Sequence, residues 1–249
     1  MTYSIVARDP RSGEIGIAVA SRFFACGVQV PWLSATAAVA SQAFVNPLWG
    51  VEGLARLQGG EMPDAVLADF VTRDKGASSR QAHLLAPSGA MAQHTGADCV
   101  PWAGHVAAPD VSVAGNMLVG EAVVQDTLAT FLAHPDLPLA DRLLKAMVAG
   151  EAAGGDKRGR QAASLVVHAG QPYPLIDVRA DDHADPLGEL RRLLAVSKER
   201  YVRFAEVMAT TDNFSGATDR RPLDTAIAND EAERLRLGIK SQSYATPLS

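Results

Sequence analysis

The densest group of polar side chains in the sequence lies in a glycine-rich loop over residues 154–161. It contains Asp156, Arg158, Arg160 and Gln161. Arginine guanidinium groups bind carboxylates through a bidentate fork, and the glycines would let backbone N–H groups face an anion. The loop lacks the spacing of a nucleotide-binding P-loop. Two interpretations therefore stand: a site that binds a substrate carboxylate, and a buried structural network of aspartate and arginine.

A second cluster of titratable residues is the string Asp181-Asp182-His183-Ala184-Asp185. Carboxylates and imidazoles are metal ligands and also general acids or bases. Successive residues of an extended chain point to opposite faces, so these side chains cannot all converge. Helix capping before Pro186 explains Asp185 without a function. Asp182 and His183 remain weak candidates for a metal site, and we expect no cofactor.

Neutral amide and hydroxyl side chains form the third group of candidates. Ser41, Gln42 and Asn46 lie at the end of one predicted strand, and Asn116 lies beside Gly115 in the middle of another. Such groups can donate hydrogen bonds to an oxyanion or bind an amide. The alternative for each is an ordinary hydrogen bond in a turn or a helix cap.

The two cysteines, Cys26 and Cys99, are far apart and lack a CxxC motif or a histidine-rich companion. This pattern predicts two buried thiols, with neither a disulfide framework nor a zinc site. His94 and His105 flank the segment that contains Cys99. A reactive Cys–His pair would need an electropositive, partly open setting, so satisfied core histidines are the simpler interpretation.

Composition restricts the class of partner. The chain has 249 residues, of which 47% are hydrophobic and 20% charged, and its formal net charge is −5. A negative balance with scattered basic residues gives no support for nucleic-acid binding. No run approaches the ~18 apolar residues that span a bilayer, and the first residues lack a basic region followed by an apolar core. We expect a cytoplasmic protein with a small-molecule ligand and neither a nucleic-acid nor a membrane partner.

The elements that must position these candidates alternate between hairpins and helix pairs. In the first part of the chain we predict a hairpin over 4–21, an edge strand or loop over 28–33, a strand over 35–43, and helices over 48–58 and from Pro63. The middle part is predicted to form a hairpin over 81–95, an irregular segment over 99–105, a strand over 111–119, and helices over 121–133 and 139–150. A hairpin over 161–178 and a long helix over 187–208 follow. This order permits an α+β four-layer αββα sandwich, with two mainly antiparallel sheets face to face and helices outside each. We expect one domain over 1–211. The extension over 212–249 is expected to be partly helical and to pack on the domain or on a partner subunit.

Six ordered motifs connect the chain to a known family. They are SIVARD with GEIGIAVASRFFACG, VASQAFVNPLWG, HTGADCVPWAGH, VAGNML, EAAGGDKRGRQAASLVV and VRADDHADPLGELRRLL. On these motifs the chain closely resembles the domain-of-unknown-function 1028 (DUF1028) family over roughly residues 1–209. The resemblance implies the αββα fold of the N-terminal nucleophile (Ntn) hydrolase superfamily. The layout of the chain is also weakly similar to the start of an isoaspartyl-peptidase or asparaginase domain.

The resemblance also implies a mechanism. In that superfamily the nucleophile is a Thr, Ser or Cys at the mature amino terminus, and its own α-amine, with an ordinary pKa near ~8, acts as the base. Thr2 is the residue that loss of Met1 would expose. If Met1 is retained, Thr2 has no free amine and this mechanism fails. Ser21 and Arg22 occupy the strand end where the superfamily commonly has a polar pair near the nucleophile; Arg22 is either a fork for a substrate carboxylate or a strand-end residue in solvent or an ion pair.

Three functional expectations follow. The first is an Ntn-type hydrolase of a small amide, amino-acid-like or peptide-like, with Thr2, Ser21 and Asn116 as catalytic residues and arginines that hold the substrate carboxylate. The second is a catalytically inactive protein of the same fold that binds a small anionic metabolite or acts as an oligomeric scaffold. The third is a hydrolase that uses an internal group, such as Ser21 or Ser41, without processing. The apolar long helix and the extension favour a homodimer.

Overall fold

A computed structural model of the protein describes residues 2–245; Met1 and residues 246–249 lie outside the described residues. The described chain is a mixed α+β structure with ten strands and eight α-helices. The strands are β1 (Thr2–Arg8), β2 (Ile15–Ser21), β3 (Pro31–Leu33), β4 (Ala38–Ala43), β5 (Arg80–Leu85), β6 (Met91–Thr95), β7 (Gly104–Ala108), β8 (Val111–Asn116), β9 (Ala162–His168) and β10 (Ile176–Ala180). The helices are α1 (Cys26–Gln29), α2 (Pro47–Gln58), α3 (Pro63–Arg73), α4 (Ala122–Ala133), α5 (Leu139–Ala152), α6 (Pro186–Glu199), α7 (Tyr201–Ala205) and α8 (Arg221–Arg236).

The larger sheet has six strands in the order β10-β9-β2-β1-β8-β7, and each neighbouring pair is antiparallel. The predicted first hairpin is confirmed: β1 pairs with β2 from Tyr3 opposite Ala20 to Arg8 opposite Ile15. Both strands are buried along almost their whole length. Their continuous apolar pattern predicted this, because a strand that is apolar on both faces is normally covered on both faces. The start of β1 therefore lies deep in the sheet, between β2 and β8.

The smaller sheet has four strands in the order β3-β4-β5-β6, again antiparallel. Its outermost strand β3 contains Pro31, which cannot donate a ladder hydrogen bond and is tolerated at an edge. β4 contributes small alanines such as Ala38 and Ala40 to one face and Val39 to the other. This alternation lets β4 pack closely on the larger sheet while it presents a bulkier side chain to the helices.

Helices cover the outer face of each sheet. α4 and α5 pack on strands of the larger sheet, whereas α2 and α3 pack on strands of the smaller sheet. The sheets contact each other through β1, β2 and β8 on one side and β4 and β5 on the other. One apolar cluster lies between the sheets and includes Ile17, Val19 and Leu85. A second lies under α2 and α3 and includes Trp49 and Phe70.

Two segments differ from the sequence prediction. The irregular segment over 99–105 ends in strand β7, an edge strand whose residues alternate between half-buried and exposed. Glycine, alanine and histidine give such a strand little apolar pattern, so its pairing with β8 is not visible in the sequence. The predicted long helix over 187–208 is interrupted: α6 ends at Glu199, and Arg200 has φ −148° before α7 begins.

The chain divides into two compact units, Met1–Leu190 and Arg191–Ser249. Within the second unit, Arg203 of α7 pairs with Asp230 of α8 at 2.7 Å. The predicted domain boundary between residues 211 and 212 stays a prediction, as does the homodimer. No helix in residues 2–245 has the length and apolar character needed to cross a membrane.

The start of β1 is attached to the outer helices through Tyr3. Its hydroxyl donates to the carbonyl oxygen of Met147 in α5 at 2.9 Å. Gly150, one turn further along α5, lies against the Tyr3 ring and Thr127 of α4. A Cβ at Gly150 would lie 2.2 Å from Thr127 Oγ1 and 3.0 Å from Tyr3 Cε2. The absence of a side chain at Gly150 thus allows both helices to approach the first strand.

A Gly150→Ala substitution should lower the free energy of unfolding by about 1–3 kcal/mol, because the added methyl overpacks a closed interface. The gain in helix propensity, at most about 1 kcal/mol, is too small to offset the clash. Urea denaturation measures the effect. Gly120→Ala is the matched control, since a Cβ there meets nothing within 4 Å. Equal stabilities of the two variants would contradict the packing described.

Candidate functional site

The three residues predicted to be catalytic lie together at the start of β1. Thr2 Oγ1 is 3.1 Å from Ser21 Oγ. Asn116 is opposite Thr2 in the ladder between β1 and β8, and its Nδ2 donates to the carbonyl oxygen of Thr2 at 3.4 Å. The exposed fractions are 7% for Thr2, 2% for Ser21 and 2% for Asn116. Sheet topology explains the convergence, because the ends of both antiparallel neighbours flank the beginning of the central strand.

A chain of buried hydrogen bonds crosses from the larger to the smaller sheet near this point. Ser4 Oγ donates to Gln42 Oε1 at 2.7 Å, so it must accept from His83 Nε2 at 2.9 Å. In a neutral ring the other nitrogen is an acceptor, and His83 Nδ1 lies 3.1 Å from the Ser112 hydroxyl. Burial lowers the pKa of His83 to about 3. His83 is therefore a neutral, Nε2-protonated histidine enclosed between two serines.

Gln81 connects this chain to the candidate site. Its Oε1 accepts from Gln42 Nε2 at 2.9 Å and from Asn116 Nδ2 at 3.0 Å. Its Nε2 donates to the carbonyl oxygens of Gly115 and Gly104 at 2.8 and 3.1 Å. Both N–H groups of Asn116 are consequently used, towards Gln81 and the Thr2 carbonyl. The group that Asn116 still offers is the acceptor Oδ1, which receives no hydrogen bond from residues 2–245.

Sequence reasoning missed Gln81, His83, Ser4 and Ser112. Gln81 and His83 both lie in β5, whereas Ser4 and Ser112 lie in the largely apolar strands β1 and β8, and the sequence shows these residues only as interruptions of an apolar pattern. All four have an exposed fraction of 0%. Polar residues in buried strands indicate hydrogen-bond partners elsewhere in the core. The sequence does not show which strands face each other, so these partners could not be identified from it.

Hydrogen bonds link Asp156 to arginines in the glycine-rich loop, but the arginine side chains are partly exposed and not buried as one of the two predicted interpretations has them. Asp156, with 4% of its side chain exposed, accepts hydrogen bonds from the backbone N–H groups of Arg22 and Arg158, both at 2.8 Å. Arg22 Nη1 donates to the carbonyl oxygen of Arg158 at 2.5 Å. A bridge between Leu118 and Asp156 attaches the loop to the chain just after β8. Carboxylate binding by this loop stays a prediction.

A small cavity of about 80 Å³ lies between the loop and Ser21. Glu151 and Arg160 also line it, and Arg160 Nε contacts Glu151 Oε1 at 2.9 Å. Burial raises the pKa of the Glu151 carboxyl, and the positive charge of Arg160 opposes this shift. A carboxyl group with a raised pKa can act as a proton donor, and Glu151 has one. The sequence did not indicate Glu151, because it is one acidic residue near the end of a helix. The cavity is well below the roughly 300–1,000 Å³ of typical ligand pockets.

Two of the predicted binding residues make ordinary turn and cap contacts. Ser41 Oγ donates to the carbonyl oxygen of Asn46 at 3.0 Å. Asn46 Oδ1 accepts from the backbone N–H of Leu48 at 3.0 Å and caps α2, while its Nδ2 donates to Asp74 at 2.8 Å. Gln42, in contrast, lies between the sheets and belongs to the chain of buried hydrogen bonds that links Ser4 to Gln81.

The acidic string before α6 is held by local bonds. Gln161 Nε2 donates to Asp182 Oδ1 at 3.2 Å, and His183 Nδ1 accepts from the backbone N–H of Asp185 at 3.0 Å. Asp185 Oδ1 accepts from the N–H of Gly188 at 3.1 Å, which is the cap that the sequence predicts. Within residues 2–245 no group of three or more His, Cys, Asp or Glu side chains is arranged to hold a metal ion.

Both cysteines are free and buried, as predicted. Burial raises the pKa of Cys26 to about 12, and it also raises the pKa of Cys99. His94 contacts the carbonyl oxygen of Ala77, and His105 contacts Thr95. Neither histidine is therefore paired with a thiol, and the thiolate that a cysteine nucleophile requires is disfavoured.

Comparisons with known proteins agree with one another. The model of a "Family of unknown function (DUF1028)" matches residues 2–190. The crystal structure of protein SPO2555 from Silicibacter pomeroyi, which is assigned to the same family model, is similar at a TM-score of 0.80 with 30% sequence identity. That match covers 88% of this chain and 99% of the other. No curated protein matches the sequence.

The buried neutral histidine should make stability depend on pH. In the unfolded chain His83 takes up a proton as the pH falls below its ordinary pKa of 6.5, whereas in the folded protein its pKa is about 3. The unfolded state thus binds more protons between these values. The contribution of His83 is complete above about pH 6.5 and is lost as the pH falls. Urea denaturation should show a loss of about 2 kcal/mol from pH 7 to pH 5 that a His83→Gln variant lacks.

A His134→Gln variant controls for the loss of a histidine as such. If His83→Gln and wild type show the same change between pH 7 and pH 5, His83 is not held neutral in the folded protein.

Proposed function

The chain belongs to the DUF1028 family, whose function is unknown, and on that premise we propose that it is an Ntn-type hydrolase of a small amide, with Thr2 as the nucleophile. The observation that carries the proposal is the position of the Thr2 hydroxyl. It lies at the start of the central strand, 3.1 Å from the Ser21 hydroxyl, beside Asn116 and near a cavity lined by Glu151 and Arg160.

The packing of the elements supports the same proposal. Two antiparallel sheets contact each other, α4 and α5 cover the outside of one, and α2 and α3 cover the outside of the other. We propose that this arrangement is the four-layer αββα sandwich of the Ntn-hydrolase superfamily. The superfamily nucleophile is the mature amino-terminal residue, and Thr2 begins β1, which pairs with β2 and β8 near the middle of the larger sheet.

The proposed chemistry requires the loss of Met1, which frees the Thr2 α-amine. The amine, with an ordinary pKa near ~8, takes the hydroxyl proton directly or through a water molecule. Oγ1 then attacks the amide carbonyl carbon, the C–N bond breaks, and the leaving amine takes the proton. Water hydrolyses the resulting ester and regenerates Thr2. Ser21 orients the Thr2 hydroxyl through their mutual hydrogen bond, and Asn116 holds the Thr2 backbone.

The arginines have a second role in this proposal. Arg158 and Arg160 keep 35% and 52% of their side chains exposed, although each already contacts a carboxylate. Because a guanidinium has five N–H donors, Arg160 can offer further donors to the carboxylate of an amino-acid-like substrate. Asp156 would then shape the loop rather than contact the substrate.

The test is the intact mass of the purified protein before and after incubation with a β-lactone. The nucleophile opens the lactone by attack on its carbonyl carbon, and the whole lactone mass is added. We expect a chain that lacks Met1 and carries one adduct, which peptide mapping places on Thr2. Thr2→Ala should abolish the adduct, whereas Thr2→Ser should retain it because the hydroxyl and the small residue that permits loss of Met1 are kept.

A mass that includes Met1, with no adduct, would contradict the proposal. It would favour the inactive alternative, a protein of the same fold that binds a small metabolite. An adduct on Ser21 in a chain that retains Met1 would instead indicate a hydrolase without processing.

A further inference from the structure

A larger cavity, of about 450 Å³, is also lined by Asn116. Its apolar walls include Phe44, Val100 and Met117. Phe44 is 74% exposed and Val100 46% exposed, so large apolar side chains surround a concavity that reaches the candidate site. The volume lies within the range of small-molecule pockets, roughly 300–1,000 Å³.

The walls of this cavity are held in place by the protein itself. The backbone N–H of Phe44 donates to the carbonyl oxygen of Ser79 at 3.2 Å, and Arg80 donates to the carbonyl oxygen of Phe44. The Arg80 guanidinium also lies 5.1 Å from the centre of the Phe44 ring. On the facing side, the N–H of Met117 donates to the carbonyl oxygen of Val100 at 2.7 Å. The Phe44 ring is therefore both exposed and fixed, which is the property of a preformed ligand wall.

The backbone at the cavity is unusual at two places. Ala43 has φ +71° and Met117 has φ +52°, in the left-handed region that residues with a Cβ rarely adopt. Both residues line the cavity. Ala43 is the last residue of β4 and Met117 follows the end of β8, next to Gln42 and Asn116 of the buried hydrogen-bond chain. Such backbone conformations persist where the surrounding structure imposes them, and they concentrate at binding and catalytic sites.

The polar groups of the cavity define what it can accept. Among the described residues that line it, Asp98 is the one whose side chain carries a charge at neutral pH. The Asp98 carboxylate disfavours a negatively charged ligand group beside it, while the Arg80 guanidinium next to Phe44 is already paired with Asp74 at 3.1 Å. Asn116 Oδ1 receives no hydrogen bond from residues 2–245 and can accept one from an amide N–H.

We propose that this cavity binds the uncharged apolar half of the substrate, an aliphatic or aromatic group next to the scissile amide, and rejects a carboxylate there. That the ligand is a substrate rests on the proposed function; the apolar, anion-rejecting character of the cavity rests on its own walls. The substrates would therefore be amides with an apolar group on one side of the scissile bond.

The probe is phenylacetamide, and its 4-carboxy derivative differs from it by one carboxylate. Binding is measured by amide chemical shifts in an NMR titration of the Thr2→Ala variant, so that turnover does not interfere. We expect phenylacetamide to bind and to shift residues 43, 44 and 117. Phe44→Ala should weaken binding roughly tenfold, the loss expected when about 50 Å² of apolar contact is removed. Phe24→Ala, at a residue that is 62% exposed and does not line the cavity, should leave binding unchanged.

The carboxylated probe should bind at least several-fold more weakly than phenylacetamide, and Asp98→Asn should remove most of that difference. Absence of phenylacetamide binding, equal affinity in the Phe44→Ala variant, or equal binding of the two probes would overturn the inference. If phenylacetamide binds in a Phe44-dependent way but the lactone forms no adduct on Thr2, the proposed hydrolase activity is contradicted and the cavity proposal stands. If the lactone forms an adduct on Thr2 but phenylacetamide does not bind, the cavity proposal is contradicted and the proposed hydrolase activity stands.

Discussion

The sheets of this protein face each other across a layer that contains polar side chains, and burying a hydrogen-bonding group there without a partner is costly, so most of these groups require one. Ser112, His83, Ser4, Gln42 and Gln81 meet this requirement as one directed chain of hydrogen bonds. A buried group left without a partner costs roughly 1–3 kcal/mol, and removal of one member leaves two neighbours unpaired. These hydrogen bonds therefore fix one relative placement of the two sheets, since sliding one sheet over the other by one residue, about 3.3 Å, would move the donors and acceptors out of hydrogen-bond range.

The candidate site depends on this placement. Gln81 receives a hydrogen bond from Asn116, and Asn116 in turn holds the carbonyl of Thr2. The position of Thr2 at the start of β1 is thus set from the smaller sheet, while Ser21 and the Asp156-anchored loop close the other side. The proposed role of Thr2 as a nucleophile requires such a fixed position, because small displacements from an amide carbonyl reduce the rate strongly.

Local patterns predicted most of the elements correctly. The first hairpin follows from a turn between apolar runs, and α2 and α3 follow from helical spacing with Pro at their first positions. The sequence also indicated Thr2 and Ser21 as candidates through family resemblance, and Asn116 as a neutral amide side chain beside Gly115. It could not show that Gln42 and Gln81 meet, since that depends on strand pairing. Ser41 and Asn46 were candidates of the same kind as Gln42. In the structure, however, Ser41 bonds to the Asn46 carbonyl oxygen and Asn46 caps α2.

The most direct test of this account is the protonation state of His83, observed by nitrogen-15 NMR of its imidazole between pH 5 and pH 8. The directed chain requires a neutral ring with the proton on Nε2 throughout this range, because Ser4 accepts from one nitrogen and Ser112 donates to the other. Nitrogen shifts that stay constant and typical of the Nε2-protonated tautomer would support the account. A ring that titrates near pH 6.5, or that carries its proton on Nδ1, would contradict the chain of hydrogen bonds from which the placement of Thr2 follows.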